Sequence, residues 1–541
     1  MASESRFAGP CLIGCKAASP QGASAEIVGN KAANLIRMAQ AGLPVPAGFV
    51  LPTTLCRAYL QGGERLPEGT AELLRQGIRE LEKATGLNFG GDRRPLLVAV
   101  RSGAAVSMPG MLDTILDVGL CDRTLPAVIR MTGNPRHAWD SYRRLIQLYA
   151  EVVQGLPAGP FERMLAEAMR SEGAVTVTEL DVAALKNLTR AFLDESRTSR
   201  GELFPQDPVA QLAGAVEAVF RSWQSPRAVA YRRLHGLDDL AGTAVTVEAM
   251  VFGNLGGTSG SGVGFTRDPA TGANDLYLEF LPNSQGEDVV SGRSSVQGMA
   301  RLQDSFPELY GQLRQVKRSL ELLFQDAQDF EFTVQEGDLY LLQARAAKRT
   351  AWAALRIACD HVAEGLIDEA MALERLAEYD LASIHMIRLA TAEKCRPIGI
   401  GIPASPGVAV GVAVFDPDKA VKLAHTGCSP ILIRTDISTE DIAGLAASAG
   451  MLTARGGRTA HAAVVARQLN KVCIVGCRDL IFQGEGKTCR IGDQLIEEGS
   501  AVSLDGQSGR VYPGKVEVVV ERPTQYLREV ERWKARLAST K

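Results

Sequence analysis

The chain has 541 residues, 46% of them apolar and 22% charged, with a formal net charge of -3. At roughly 100–200 residues per domain, this leaves room for about three to five folding units of ordinary globular composition. The near-balanced charge excludes a global field drawing the chain to nucleic acid or an anionic membrane, and no run approaches the ~20 apolar residues of a membrane helix.

Met1 to Arg6 lack the charged-then-apolar pattern of an export signal, so a cytoplasmic protein is expected. Residues 26–60 predict a helix followed by an extended stretch: Asn30 can cap, Ala33, Leu35, Ile36 and Met38 give an apolar face, and Gly42, Pro44 and Pro46 end it. The apolar run 96–101 predicts a buried strand, and the spacing over 137–153 and 207–234 predicts helices. Residues 241–252 and 260–267 predict strands around a glycine-rich turn, and 329–345 alternate on both sides of Glu336-Gly337-Asp338 as a hairpin does. No regular βαβ repeat runs through the first 350 residues, which predicts an α+β multidomain chain. Residues 351–395 predict two connecting helices, and 396–515 a compact domain of short glycine-punctuated strands. Tyr526, Leu527, Val530, Trp533 and Leu537 line one face of a last helix over 516–541, expected to dock on a partner or a second copy, with folding back onto the His461 domain as the alternative. The ten cysteines show no CxxC or metal-ligand spacing and read as reduced, mostly buried thiols.

The most informative segment is Gly456-Gly457-Arg458-Thr459-Ala460-His461-Ala462-Ala463-Val464-Val465-Ala466-Arg467. Glycines and a threonine precede His461, and a good helix-forming run follows it. His461 should therefore stand at a helix N-terminus, where free N–H groups and the dipole favour an anion. A neutral imidazole near pH 7 offers a nucleophilic nitrogen. A capping or core histidine is the alternative.

This segment resembles the phosphohistidine segment of pyruvate phosphate dikinase and its relatives. Gly401-Ile402-Pro403-Ala404-Ser405-Pro406-Gly407 and Ser503-Leu504-Asp505-Gly506 resemble the entry to and the closing turn of that family's swivelling domain. Upstream, Gly29-Asn30-Lys31 and Val100-Arg101-Ser102-Gly103 resemble its nucleotide-phosphate lysine and first phosphate arginine. Ser107-Met108-Pro109-Gly110-Met111-Leu112-Asp113-Thr114 has the dikinase form rather than that of the water-using phosphoenolpyruvate synthase. Asn134-Pro135-Arg136 with Asp140-Ser141-Tyr142-Arg143-Arg144, Thr266-Arg267-Asp268-Pro269, and Asn283 to Asp288 follow in the family's order. Gly256-Gly257-Thr258-Ser259-Gly260-Ser261-Gly262 matches the mobile loop over the ATP phosphates. Asp329-x-Glu331 and Gln343-x-Arg345 match its metal- and phosphate-holding strand pair.

The resemblance implies an ATP-grasp-like domain over 1–350, a helical hinge over 351–395, a swivelling β/β/α phosphohistidine domain over 396–515 and a terminal helix. Lys31, Arg101 and Arg345 would neutralise the triphosphate, with Gly257, Thr258, Ser259 and Gly260 closing over it. Glu331, Gln343 and Glu279 would ligate Mg²⁺ beside Asp329. ATP and inorganic phosphate would phosphorylate His461, leaving AMP and pyrophosphate. Thr459 matches the threonine that a regulatory protein phosphorylates in plant forms. Two departures stand out. Ala105 replaces the family's second arginine, and the barrel that binds pyruvate and phosphoenolpyruvate has no counterpart before Lys541. Three readings follow: the phosphotransfer half of a split dikinase with a separate pyruvate-binding protein, a phosphotransferase with a different acceptor, or a non-catalytic paralogue. A homodimer is a further expectation.

Overall fold

A computed structural model describes residues 9–15, 24–106, 108, 111–201, 203–290, 297–390, 396–436, 441–456, 461–483 and 488–539. They form two compact units, Met1–Ser259 with Thr333–Ala344, and Gly260–Phe332 with Arg345–Lys541. The architecture is mixed α/β, with helices and antiparallel strands interleaved.

The first unit is built on a five-stranded antiparallel sheet in the order Cys11–Ile13, Gly48–Leu51, Ala244–Ala249, Val98–Gly103, Thr114–Val118. Its three inner strands are buried along most of their length, as runs such as Leu-Leu-Val-Ala-Val require. Helices Pro135–Val152, Val182–Arg200 and Pro208–Ser222 add Tyr142, Phe192 and Phe220 to one continuous core with Phe49 and Val100. The helical stretch 207–234 is interrupted, because Ser225 caps a second helix, Pro226–Leu234. Helix Ala25–Gln40 is also broken, at Gly29 (φ 78°, ψ 154°).

The strands Gln328–Gln335 and Asp338–Ala346 join through Glu336 and Gly337, both at positive φ, as a two-residue hairpin turn requires. An eight-stranded mixed sheet occupies the later part of the chain. Its centre is parallel, Val408–Val414, Pro430–Arg434, Gly450–Thr453 and Val472–Val475, joined by helices that include His461–Gln468. Its flanks are antiparallel, and a separate three-stranded sheet, Leu480–Gln483, Thr488–Ile491, Gln494–Glu497, follows.

The stretch 351–395 carries its two helices, Ala351–Ala363 and Glu369–Leu376, and then a strand, Met386–Leu389, paired with Val518–Glu521. The docking face expected on the last helix is covered by the chain itself. Val530 and Trp533 of Thr524–Ser539 are buried against Leu355, Ala358 and Leu376 of the connector helices, not against the His461 domain. Burying a tryptophan and a valine there gains several kcal/mol by area, on the order of 25 cal/mol per Å². None of the nine described cysteines is in a disulfide, and Cys428 is exposed. Among the described residues no helix is long and apolar enough to cross a membrane.

Candidate functional site

The first unit sets Lys31 and Arg101 near one another through their glycines. A Cβ on Gly29 would lie 2.0 Å from the Gly103 carbonyl oxygen, and the Asn30 N–H donates to Ala104 O at 2.9 Å. The start of the regular helix thus clasps the end of strand Val98–Gly103, with Lys31 two residues beyond one glycine and Arg101 two residues before the other. Only glycine tolerates both the positive φ and this approach.

Arg101 stands opposite Thr246, and Ala99 opposite Glu248, on neighbouring strands. Glu248 is 2% exposed and its Oε2 lies 3.5 Å from Arg101 Nε. That distance is too long for a good hydrogen bond. Arg101 Nε, Glu248 Oε1 and Thr246 Oγ1 are all buried without a hydrogen-bond partner among the described residues. Buried polar atoms are normally satisfied, so three orphans beside one arginine leave hydrogen-bonding capacity unused. The sequence reading missed Glu248. Its signal was a lone carboxylate inside the apolar run Ala-Val-Thr-Val-Glu-Ala.

In the glycine-rich turn, Gly257 and Thr258 are exposed, and a Cβ on Gly256 or Gly257 would meet open space. Thr258 O accepts from the Gly337 N–H at 3.1 Å, and the buried Ser259 Oγ accepts from the Glu336 N–H at 2.9 Å. Ser259 therefore pins the loop's exit to the hairpin turn. Gly260 begins the next strand, Gly260–Phe265, and has a packing reason to be glycine, since a Cβ there would lie 2.2 Å from the Phe280 ring. Gly262 is likewise crowded by Phe332, at 2.4 Å.

In the second unit Arg345 donates from Nε to Asp329 Oδ2 at 2.8 Å. Burial pushes the Asp329 carboxyl up from its ordinary value, with Arg345 pulling the other way and Glu331 adding to the rise. Burial works against the Arg345 charge, but Asp329 and Glu331 outweigh it and hold the guanidinium above its ordinary value. Strand alternation puts Glu331 on the face of Asp329, and Gln343 on the face of Arg345. Glu279, on strand Tyr277–Pro282, is buried and accepts from the Tyr277 hydroxyl at 2.9 Å.

Among the described residues, three metal-ligating side chains converge elsewhere, at Glu321, His361 and Glu364. A cation already fills that cluster. Arg267 forks onto Glu321 at 2.9 and 3.0 Å and reaches Glu364 at 2.6 Å. Its neighbour Asp268 accepts from the N–H groups of Ala270 and Thr271. The Thr-Arg-Asp-Pro motif is thus a structural tie. His461 is the first residue of helix His461–Gln468, where the sequence puts it. Thr459 lies outside the described residues, as do Ser107, Pro109 and Gly110 of the dikinase-type run.

Residues 64–306 match the family model for the pyruvate phosphate dikinase AMP/ATP-binding domain, and residues 428–509 match that for the mobile domain of PEP-utilising enzymes. The chain is 44% identical over 494 residues to pyruvate, phosphate dikinase of Clostridium symbiosum, covering 91% of this chain and 56% of that one. The chain belongs to the pyruvate phosphate dikinase family. The chloroplastic enzyme of Flaveria pringlei is 44% identical over 491 residues, 90% of this chain and 51% of its own length. The Entamoeba histolytica enzyme is 41% identical over 506 residues, 93% and 57%. The chain therefore spans a little over half the length of these family members. The two family matches fall on either side of the connector helices: the first carries Arg101 and the glycine-rich turn, the second His461.

Proposed function

We propose that the chain is an ATP-dependent phosphotransferase that carries out the nucleotide half of a dikinase reaction. The observation that carries this reading is a histidine opening a helix in the mobile-domain match, in a chain that also holds a nucleotide-binding match with unpaired buried groups at Arg101. Lys31, Arg101 and Arg345 bind the triphosphate, beneath a loop formed by Gly257, Thr258, Ser259 and Gly260 in an ATP-grasp-like domain. Glu331, Gln343 and Glu279 offer hard oxygens to Mg²⁺, a choice that suits an ion which takes few protein ligands and completes its shell with phosphate oxygens and water. Bound Mg²⁺ would neutralise charge on the transferring phosphoryl groups. His461 attacks the β-phosphorus and AMP leaves. The γ-phosphoryl then passes from pyrophospho-His461 to inorganic phosphate, which gives pyrophosphate and phospho-His461.

The connector at 351–395 is the proposed hinge for carrying the phosphohistidine away, and 1–350, 396–515 and 516–541 are the remaining divisions. The phosphoryl group of phospho-His461 is proposed to pass on to a pyruvate- and phosphoenolpyruvate-binding site. Incubation with Mg²⁺, phosphate and ATP labelled at the β-phosphate should leave acid-labile, alkali-stable label on the protein. ATP labelled at the γ-phosphate should release its label as pyrophosphate. His461→Ala should abolish the first signal. Equal labelling of that variant would sink the assignment.

A further inference from the structure

Arg467 lies near the end of the helix that His461 begins, about 9 Å along its axis at 1.5 Å per residue. It is 1% exposed, among the most buried large side chains described. One terminal nitrogen donates to Ala404 O at 2.8 Å, within its own domain. The face of the guanidinium turns elsewhere: its carbon sits 5.7 Å from the centroid of the Phe265 ring. Phe265 ends the strand Gly260–Phe265, which belongs to the nucleotide-binding match, whereas Arg467 belongs to the mobile-domain match. Both residues lie in the same compact unit. The Arg467 charge also acts on Asp329, the partner of Arg345.

Hiding a guanidinium from water is costly unless its charge is met. An aromatic face and a nearby carboxylate help to meet it while the helix stays against this strand. Lysine could not substitute, because the interaction uses a flat, weakly hydrated cation.

We propose that Arg467 is a positioning residue that docks the phosphohistidine helix onto the nucleotide-binding strand by stacking on Phe265. The contact holds His461 in its accepting position and breaks when the domain departs. This inference rests on the reading of His461 as the phosphoryl acceptor.

The test is a double-mutant cycle in the full chain with Arg467→Lys, Phe265→Leu and both together. Each single change should slow labelling from ATP roughly three- to thirtyfold, with the ATP concentration giving half-maximal rate unchanged. The double variant should be no slower than the worse single, since both remove one contact. Amide exchange in Gly260–Phe265 should accelerate in all three, a readout that needs no phosphorylation. Effects that multiply in the double variant, or unaltered exchange, would overturn the proposal. If Arg467→Lys fails to fold, Phe265→Leu decides alone by rate and exchange. Absence of label on the wild-type chain would sink the phosphotransfer reading instead, while the exchange comparison would still judge the docking contact.

Discussion

Two arginine–carboxylate clusters in the first unit differ in kind. On helix Pro135–Val152, Asp140 accepts from Arg143 at 2.8 and 3.1 Å and from Arg144 at 3.1 Å, so both its oxygens are used. On the sheet, Arg101 and Glu248 stand 3.5 Å apart with atoms on both sides unpaired. Each cluster takes carboxylate charge out of water. The first offsets that cost with the chain's own donors, and the second leaves buried polar atoms without a partner among the described residues. The family resemblance quoted Asp140, Arg143, Arg144 and Arg101 together as motif residues. Only the pairing separates the two.

The largest expected effect lies in the closed cluster. Burial would raise the Asp140 carboxyl, but Arg144 and Arg143 outweigh it and hold it below its ordinary value. A carboxylate depressed on folding adds stability that is present above its unfolded pKa of about 3.9 and lost as pH falls through the folded value. Asp140→Asn should therefore cost about 3–5 kcal/mol at neutral pH and flatten the acid limb of the stability curve below about pH 4, measured by denaturant melts.

The open cluster should respond the other way round. Changing both partners, Arg101→Met with Glu248→Gln, leaves no unpaired charge and should alter the melting of the free chain by less than about 1 kcal/mol. ATP–Mg²⁺ binding should weaken roughly ten- to a hundredfold, seen by calorimetry or as lost thermal protection. If this double variant lost as much stability as Asp140→Asn, the distinction between the clusters would collapse.

The smallest effects sharpen the same contrast within one glycine-rich run. Gly260→Ala drives a methyl into the Phe280 ring and should cost about 1–3 kcal/mol in thermal melts. Gly257→Ala points into open space at ordinary φ and should stay within about 0.5 kcal/mol, so that any loss of labelling reports on the loop rather than on the fold. Equal destabilisation by the two would mean that the turn is packed like the strand.

Much of the element pattern was legible because it is local. The alternation about Glu336-Gly337 gave the hairpin, and the spacing over 137–153 gave most of helix Pro135–Val152. Gly456 and the run after His461 gave the helix that begins at that residue. Other features were not legible because their causes lie far apart in the chain. Gly29 is glycine on account of Gly103, and Ser259 is held to Glu336. The last helix showed an apolar face, but sequence could not say what covers it, since Leu355 and Leu376 lie some 150 residues or more upstream.

The sequence by itself determined the family and the order of its segments, because those depend on short motifs at fixed spacing. Tertiary structure decided which charges are spent on the scaffold. Arg267 meets its carboxylates on one helix and at the C-cap of another, Asp140 is saturated within one helix, and Arg101 is left half-paired across two strands. Burial and the number of available donors set those outcomes, and both depend on side chains that only folding brings within about 3 Å of one another.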